Sequence, residues 1–550
     1  MTPRRAAVIA VGIVVLALAV GAGAYLSRPE TPVAAAGPPT YVDETESSGL
    51  SHLYDGGITF AVGGGVAVFD CDGDRDPDLY IGGGDLPAAL FRNVSTLGGP
   101  LQFERVASEV TDEPRVNGAY PIDMSGDGIV DLFLLRAGDD LVLQGGGDCA
   151  FERATSRFGI PIIEGNSTAF SAKWETGARL PSLAIGKYLK LDEQGTRTLE
   201  CDVSNVLLPT ADGTGYAGVF GLPPGYCALS MLFSDWDRSG HRDLRVTNDR
   251  EYYVDGMDQL WRVGPVGEPV AYTAADGWVS MQIWGMGIAS EDLTGDGYPE
   301  VYLTSQADNK LQTLTAGPGQ PTFRDIADRR GVTAAQPFTG GDPLPSTAWH
   351  PEFADVNNDA FSDLFVSKGN VAAQKGFAVK DPSNLFLGQP DGTFVEGAEQ
   401  AGILSFDRGR GAALADFNLD GLLDLVLVNY GAPVRLWRNV GTGTAEAPAA
   451  MGHWLELAVE DPRSPNRNAI GAWLEIQLGE VTLQRELTIG GGHTGGELGW
   501  LHLGLGPTRE AKVRVTWPDG EVGPWLSVAA DGFAIIERGA SAAQRWVPGS

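Results

Sequence analysis

Six stretches of this chain place oxygen-bearing side chains at alternate positions of a short turn, a spacing suited to enclosing a hard cation. Counting from the first acid of each turn, positions 1, 3, 5 and 9 carry side-chain oxygens or carboxylates, and position 7 offers a backbone carbonyl. The first two sets are Asp70, Asp72, Asp74, Asp76 and Asp78, then Asp123, Ser125, Asp127, Ile129 and Asp131. The next two are Asp235, Asp237, Ser239, His241 and Asp243, then Asp292, Thr294, Asp296, Tyr298 and Glu300. The last two are Asp355, Asn357, Asp359, Phe361 and Asp363, then Asp416, Asn418, Asp420, Leu422 and Asp424. Calcium takes six to eight oxygens in a flexible shell, and a tightly turned loop can aim alternate side chains at one point. Position 6 is usually Gly, which permits the sharp turn. A single such loop would be an ordinary polar turn. Six of them predict up to six Ca2+ sites.

The elements around the loops repeat with them. First acids fall at Asp70, Asp123, Asp235, Asp292, Asp355 and Asp416, and the step of 112 from Asp123 to Asp235 is about twice the other steps of 53 to 63. A seventh unit fills that gap: Trp174, Ala178 and Ser182 stand at positions 1, 5 and 9, and the strand Leu183 to Ile185 follows. It has the frame without the acids, so no metal is expected there. Each unit reads as four short strands separated by Gly and Asp turns, over about 50 to 60 residues. That period is a mark of propeller blades, which bury their faces against one another. The expected fold is therefore all-β: a seven-bladed β-propeller over residues 41–445, followed by a β-sandwich-like domain over residues 451–540. The last unit lacks a fourth strand, and Tyr41 to Leu50 resembles the missing piece, so pairing between distant parts of the chain is expected to close the ring.

The chain has 550 residues, with 39 Lys and Arg against 71 Asp and Glu, a formal charge of −32. That balance argues against nucleic acid as a partner, and the acidity reads as metal-site chemistry. Arg4 and Arg5 precede an uncharged apolar run from Ala6 to Leu26, long enough to span a bilayer as a helix. Residues 1–26 thus read as a membrane anchor or a cleaved signal segment, with Ala22-Gly23-Ala24 as a candidate cleavage site. Residues 27–40 read as a linker. Either reading places the remainder outside the cytoplasm, where calcium is plentiful and disulfides persist. Cys71, Cys149, Cys201 and Cys227 allow three pairings, of which Cys201 with Cys227 closes the shortest loop.

The loop pattern, with the Gly/Ala-rich strand before it and the apolar strand after it, resembles the FG-GAP/VCBS repeats of integrin α-subunit propellers. Beyond Trp454, the elements RNAIGA (from Arg467), GLG and VRVTWPDG (ending at Gly520) resemble the ASPIC/UnbV domain. Together they resemble the cartilage acidic protein 1-like family, in which such a domain follows such a propeller. Trp473 departs from the family's usual Arg, and Gly490-Gly491-Gly492 runs into His493-Thr494 instead of a Ser/Gln-rich turn. The resemblance implies an extracytoplasmic calcium-binding module with a protein or glycan ligand.

Other chemistry finds little support. Gly490-x-Gly492-x-x-Gly495 matches a dinucleotide fingerprint by letters, yet a strand follows it where a pyrophosphate would need a helix. The six histidines are scattered without a metalloprotease motif, and no nucleophile elbow occurs. No catalytic residue is assigned. The expected function is binding or adhesion; the alternative is an enzyme acting on polysaccharide at the propeller channel.

Overall fold

Each acidic loop is the turn between the first two strands of a four-stranded sheet. The computed structural model describes residues 35–250 and 256–549, and it is all-β as expected. Seven antiparallel sheets have their strands side by side in sequence order, apart from the last, which borrows a strand from far upstream. Their first strands are Val66–Phe69, Val116–Ile122, Ser167–Lys173, Ala228–Ser234, Gly285–Glu291, Ala348–Ala354 and Gly409–Ala415. Most of their residues are buried, because both faces are covered. Each first strand packs against the next, and Gly409–Ala415 packs back against Val66–Phe69, so the seven form a closed cycle. Sheet faces bury against their neighbours: Phe133 of the second sheet stacks on Phe170 of the third with centroids 4.3 Å apart.

Closure follows the expected route. Tyr41–Asp43 pairs antiparallel with Arg435–Asn439, placing Tyr41 opposite Asn439 and Asp43 opposite Trp437. Behind that strand Glu44 accepts from buried Arg438 at 2.9 Å, and the Tyr41 hydroxyl donates to the Leu423 carbonyl. The ordered contacts start somewhat before residue 41. The Ala36 N–H donates to Asp359 at 2.6 Å, and Asn357 donates to the carbonyls of Ala36 and Gly37. This end of the expected linker is held against the sixth sheet's loop by the unsatisfied oxygens there.

The seventh unit takes its place as the third sheet, with strands Ser167–Lys173, Ser182–Lys187, Asn205–Pro209 and Tyr216–Gly221. A hairpin, Leu189–Leu191 with Arg197–Cys201, interrupts it and is tied down by a Cys201–Cys227 disulfide. Cys71 pairs with Cys149, joining the first acidic loop to the second sheet. The segment Ala6 to Leu26 lies outside the described residues; among those described, no helix is long and apolar enough to cross a membrane.

Residues beyond His453 form two four-stranded sheets around a shared apolar core that includes Leu455, Leu474, Val513 and Trp517. This agrees with the sandwich-like expectation. One stretch leaves the sandwich. Ile489 to Leu498 passes along the first strands of the ring, bridging Ala172 with Ile489, Leu232 with Gly490, Ile288 with Gly492 and Ala119 with Gly495. It ends as a fifth strand, Gly496–Leu498, parallel to Val66–Phe69.

Candidate functional site: the acidic loops and the face they form

The six acidic loops share one backbone conformation. Position 4 is left-handed in all of them (Gly73, Gly126, Arg238, Gly295, Asn358 and Leu419, φ between 57° and 89°). Position 6 is left-handed too (Arg75, Gly128, Gly240, Gly297, Ala360 and Gly421, φ between 70° and 91°). Two of the latter are not glycine, and L residues avoid this region at a cost of about 1–2 kcal/mol. The same hydrogen bonds recur. The position-6 N–H donates to the position-1 carboxylate in every loop, at 2.7–3.1 Å. The position-7 N–H donates to the position-5 side-chain oxygen, at 2.8–3.3 Å. With that N–H turned inward on position 5, residues Asp76, Ile129, His241, Tyr298, Phe361 and Leu422 hold position 7 of a uniform turn.

Position 9 has a second task that the sequence pattern did not disclose. One oxygen of Asp78 accepts from the Cys71 N–H and the other from the Asn93 N–H, both at 2.7 Å. Asp131, Asp363 and Asp424 repeat this, joining the loop to the end of the third strand through Gly145, Gly388 and Asn439. Glu300 reaches the Leu293 N–H and, with its other oxygen, the Thr313 hydroxyl. Asp243 departs: it accepts from the Trp236 indole and the Tyr272 hydroxyl. In that same loop Asp237 accepts from the Gly319 N–H.

The donor chemistry fits a hard cation. Among the described residues only Asp72 has a Lys or Arg ion-pair partner, Arg92 at 3.2 Å. Burial pushes Asp78 up to about 8 and Asp131 and Glu300 up to about 7. Burial and then the neighbouring carboxylates push Asp76 and Asp355 up to about 7. Such groups hold protons because burial disfavours the charge and, among the described residues, no Lys or Arg pairs with them. Oxygens of Asp70, Asp72 and Asp78 lie within 4.8 Å of one another. In the other loops position 3 is Ser, Asn or Thr, or the acids are turned to other donors, and among the described residues no second set of three carboxylates gathers as closely outside the disulfide-bonded Cys71 and Cys149. The Trp174 loop differs. Gly177 keeps the left-handed turn at position 4, but Arg179 at position 6 does not adopt it, and Trp174 is buried beside Ile470 and Ile489.

All six acidic loops touch the C-terminal domain. Arg75 pairs with Glu460 at 2.7 Å and its carbonyl accepts from the Trp500 indole. Arg467 donates to the Gly126 carbonyl. Arg238 lies over the Trp473 ring at 3.8 Å, and Asp235 donates its N–H to Glu486. Arg485 pairs with Glu291 beside the fifth sheet's loop, and Gly297 lies against Gln484. His502 bonds Asn358, and Trp454 packs on Leu419. The position-4 and position-6 residues make several of these contacts, which the loop pattern alone did not reveal.

The Gly-rich fingerprint has a steric purpose. A side chain at Gly65 or Gly118 would place its Cβ 1.9 or 1.8 Å from the Thr494 carbonyl oxygen, and one at Gly495 would lie 2.0 Å from that of Val66. Glycines on both partners let the segment approach the first strands. His493 and Thr494 are fully buried, with His493 stacked toward Trp349 at 5.0 Å and Arg410 beyond it over the same indole at 4.1 Å. At His493 and Thr494 the segment is thereby packed tightly against the first strands. The matching small residues in Gly65, Gly118, Gly287 and Gly411 were the available signal.

Comparison with known proteins agrees with this division. Residues 462–543 match the ASPIC and UnbV family. The chain is similar to cartilage acidic protein 1 of Homo sapiens, 29% identical over 169 residues, and of Xenopus tropicalis, 40% identical over 88 residues. The chain thus carries an ASPIC and UnbV domain and is similar in part to cartilage acidic protein 1. The human match covers 29% of this chain and 22% of the relative, so the chain spans about a fifth of the length of that protein. Among solved structures, BBS1N in complex with ARL6DN covers 76% of this chain and all of that chain at 9% identity and a TM-score of 0.42. A Trichoderma reesei enzyme of carbohydrate-active family AA12, in its calcium structure, covers 75% and 98% at 10% identity and a TM-score of 0.34. At those scores neither carries an argument about this cartilage acidic protein 1-like chain.

Proposed function

We propose that the seven-sheet ring is a calcium-stabilised β-propeller of the FG-GAP/VCBS type, and that the chain works outside the cytoplasm as a binding or adhesion module. One observation carries the calcium reading. Six loops adopt the same twice left-handed turn around carboxylates of which, among the described residues, only Asp72 has a Lys or Arg ion-pair partner. Positions 1, 3, 5 and 9 would hold the ion with the position-7 carbonyl, and the ion would supply charge compensation and rigidity. The chain's own residues set the turn and anchor it to the third strand. Two disulfides, Cys71–Cys149 and Cys201–Cys227, support an oxidising compartment. Burial of His493 and Thr494 against the first strands supports recognition over catalysis there, and the outer loops would serve a protein or glycan ligand.

The test is metal analysis followed by capture. Dialysed chain should retain several calcium ions, at most six, and bind a partner on glycan or protein arrays only with calcium present. Retention of no calcium would end the metal reading, and turnover of a polysaccharide abolished by a single wall substitution would replace binding with catalysis.

A further inference from the structure

The loop from Asp235 shares the turn of the other acidic loops but commits its oxygens differently. Both oxygens of Asp237, at position 3, are taken, one by the Ser239 N–H at 3.2 Å and the other by the Gly319 N–H at 2.9 Å. At position 9, one oxygen of Asp243 accepts from the Trp236 indole at 3.0 Å and the Tyr272 hydroxyl at 2.6 Å. Asp243 thus makes neither of the bonds, to the position-2 N–H and to the third strand, that Asp78 and Asp131 make. Position 5 is Ser239, where the other five loops carry Asp. The last loop shows the contrast. Asn418, also at position 3, is 1% exposed, and its Oδ1 has no hydrogen-bond partner among the described residues. A buried oxygen of that kind calls for a donor or an ion; Asp237 already has its donors.

A side-chain cation serves this loop instead. Lys173, the last residue of the third sheet's first strand, is buried. Its ammonium donates to the Arg242 carbonyl, position 8 of the loop, at 3.1 Å. It also donates at 2.5 Å to the Val263 carbonyl, just past the third strand Gln259–Arg262. Glu175 pairs with the same ammonium at 2.7 Å, and the Phe233 ring lies 5.3 Å from it. Lys173 therefore joins the loop to the third strand, the task that the position-9 acid performs in the first, second, sixth and seventh sheets. Among the described residues no other acidic loop accepts a hydrogen bond from a lysine.

We propose that the loop at Asp235 takes no calcium, that the Lys173 ammonium stands in for the ion there, and that the third and fourth sheets form a calcium-independent sector of the ring. The inference rests on the calcium reading of the other loops. Lys173 immediately precedes Trp174, position 1 of the acid-free loop, so two adjacent sheets dispense with the ion. Both are held from inside. Trp174 is buried against Ile470 and Ile489, and Lys173 bridges the two sheets. Cys201, in the hairpin of the third unit, is bonded to Cys227 at the entry to the fourth sheet. The remaining five sheets run in one arc, and stability there is conditional on calcium.

Amide exchange of the full chain, read by mass spectrometry below its melting midpoint in EGTA, tests this. With calcium at about a hundredfold excess over its dissociation constant, peptides carrying Asp70, Asp123, Asp292, Asp355 and Asp416 should exchange about a hundredfold more slowly than in EGTA. The peptide over residues 235–243 should stay within about twofold of its EGTA rate. Calcium protection there equal to that of the other loops would overturn the proposal and leave the calcium reading intact. Protection at no loop would sink the calcium reading itself, and the proposal with it. Lys173→Met keeps the apolar stem and removes the charge. In calcium it should speed exchange over residues 235–243 by about tenfold and leave the Asp416 peptide unchanged. Parental exchange in the folded variant would show that the ammonium holds nothing; if the variant fails to fold, the comparison on the parent chain decides.

Discussion

The loop at Asp70 and the loop at Trp174 occupy equivalent places in the first and third sheets of the ring, yet they solve the same problem with opposite chemistry. Asp70 gathers N–H groups from Asp72, Gly73 and Arg75 around a buried carboxylate, the place where the proposed cation would sit. Trp174 places an indole there, buried against Ile470 and Ile489 of the C-terminal domain. The turn therefore serves as a docking surface in either form. What changes is whether the loop is fixed by charge compensation or by apolar burial. On the calcium proposal, the charged form would make stability conditional on an ion, and the apolar form would not.

Removing the ion should produce the largest effect. Each calcium site contributes about 2.7 kcal/mol at a hundredfold excess over its dissociation constant, so several emptied sites should lower the melting midpoint steeply in EGTA. The sign of the pH dependence follows from the raised carboxylates. Without metal, Asp78 at about 8 and Asp76, Asp131, Glu300 and Asp355 at about 7 hold protons that the unfolded chain releases near pH 4. The folded state binds more protons between those values, so stability falls as pH rises from about 4 to 8. Midpoints in EGTA should be higher at pH 5.5 than at pH 8, and calcium should reduce or reverse the difference. Equal midpoints with and without EGTA at pH 8 would remove the distinction between the two kinds of loop.

Next in size is the closure strand. Deleting Tyr41 to Leu50 would strip Arg438 of Glu44 and expose the edge of the strand Arg435–Asn439. A buried charge left unpaired costs about 3–5 kcal/mol, and a bare edge invites aggregation. The truncated chain should melt earlier and elute as larger species on size exclusion even in saturating calcium. The axial segment follows. In Gly118→Val the new side chain would meet the Thr494 carbonyl, an overpacking expected to cost about 3 kcal/mol. Because that segment passes the Trp174 loop through Ile489, limited proteolysis should open the chain near His493 in the variant while calcium is still bound. An unchanged cleavage pattern would mean that the segment does not depend on those glycines.

The repeat, the seventh unit, the strand exchange and the Cys201–Cys227 pair were legible because each leaves a local mark: alternate acids, a doubled interval, a missing strand, a short spacing. The role of Asp78, Asp131, Asp363 and Asp424 in holding the third strand was not, since an acid at position 9 reads the same whether it faces an ion, an N–H or both. The packing of Ile489 to Leu498 along the first strands was equally hidden. Gly490 to Gly495 read as a failed dinucleotide motif, and only the apposed Gly65 and Gly118, hundreds of residues away, explain why side chains are absent there. Docking of the sandwich on all six loops depends on such distant pairings, for example Arg238 on Trp473, which no repeat announces.

The smallest effect separates the loops by backbone alone. Ala360 sits at position 6 of an acidic loop with φ of 72°, where a Cβ is strained; Arg179 sits at the same position of the Trp174 loop outside that region. Glycine relieves the strain in the first case and adds unfolded-state entropy in both. Ala360→Gly should therefore be neutral to stabilising by up to about 1 kcal/mol, whereas Arg179→Gly should destabilise by about 0.5–1 kcal/mol. Urea midpoints in saturating calcium can read both, and the opposite signs matter more than the sizes. Arg179 has a long side chain whose loss adds to its cost, so Arg179→Ala serves as the control that isolates the backbone term. If Ala360→Gly destabilised as much as Arg179→Gly does relative to that control, the left-handed turn at position 6 would not be what distinguishes a cation loop from its apolar counterpart.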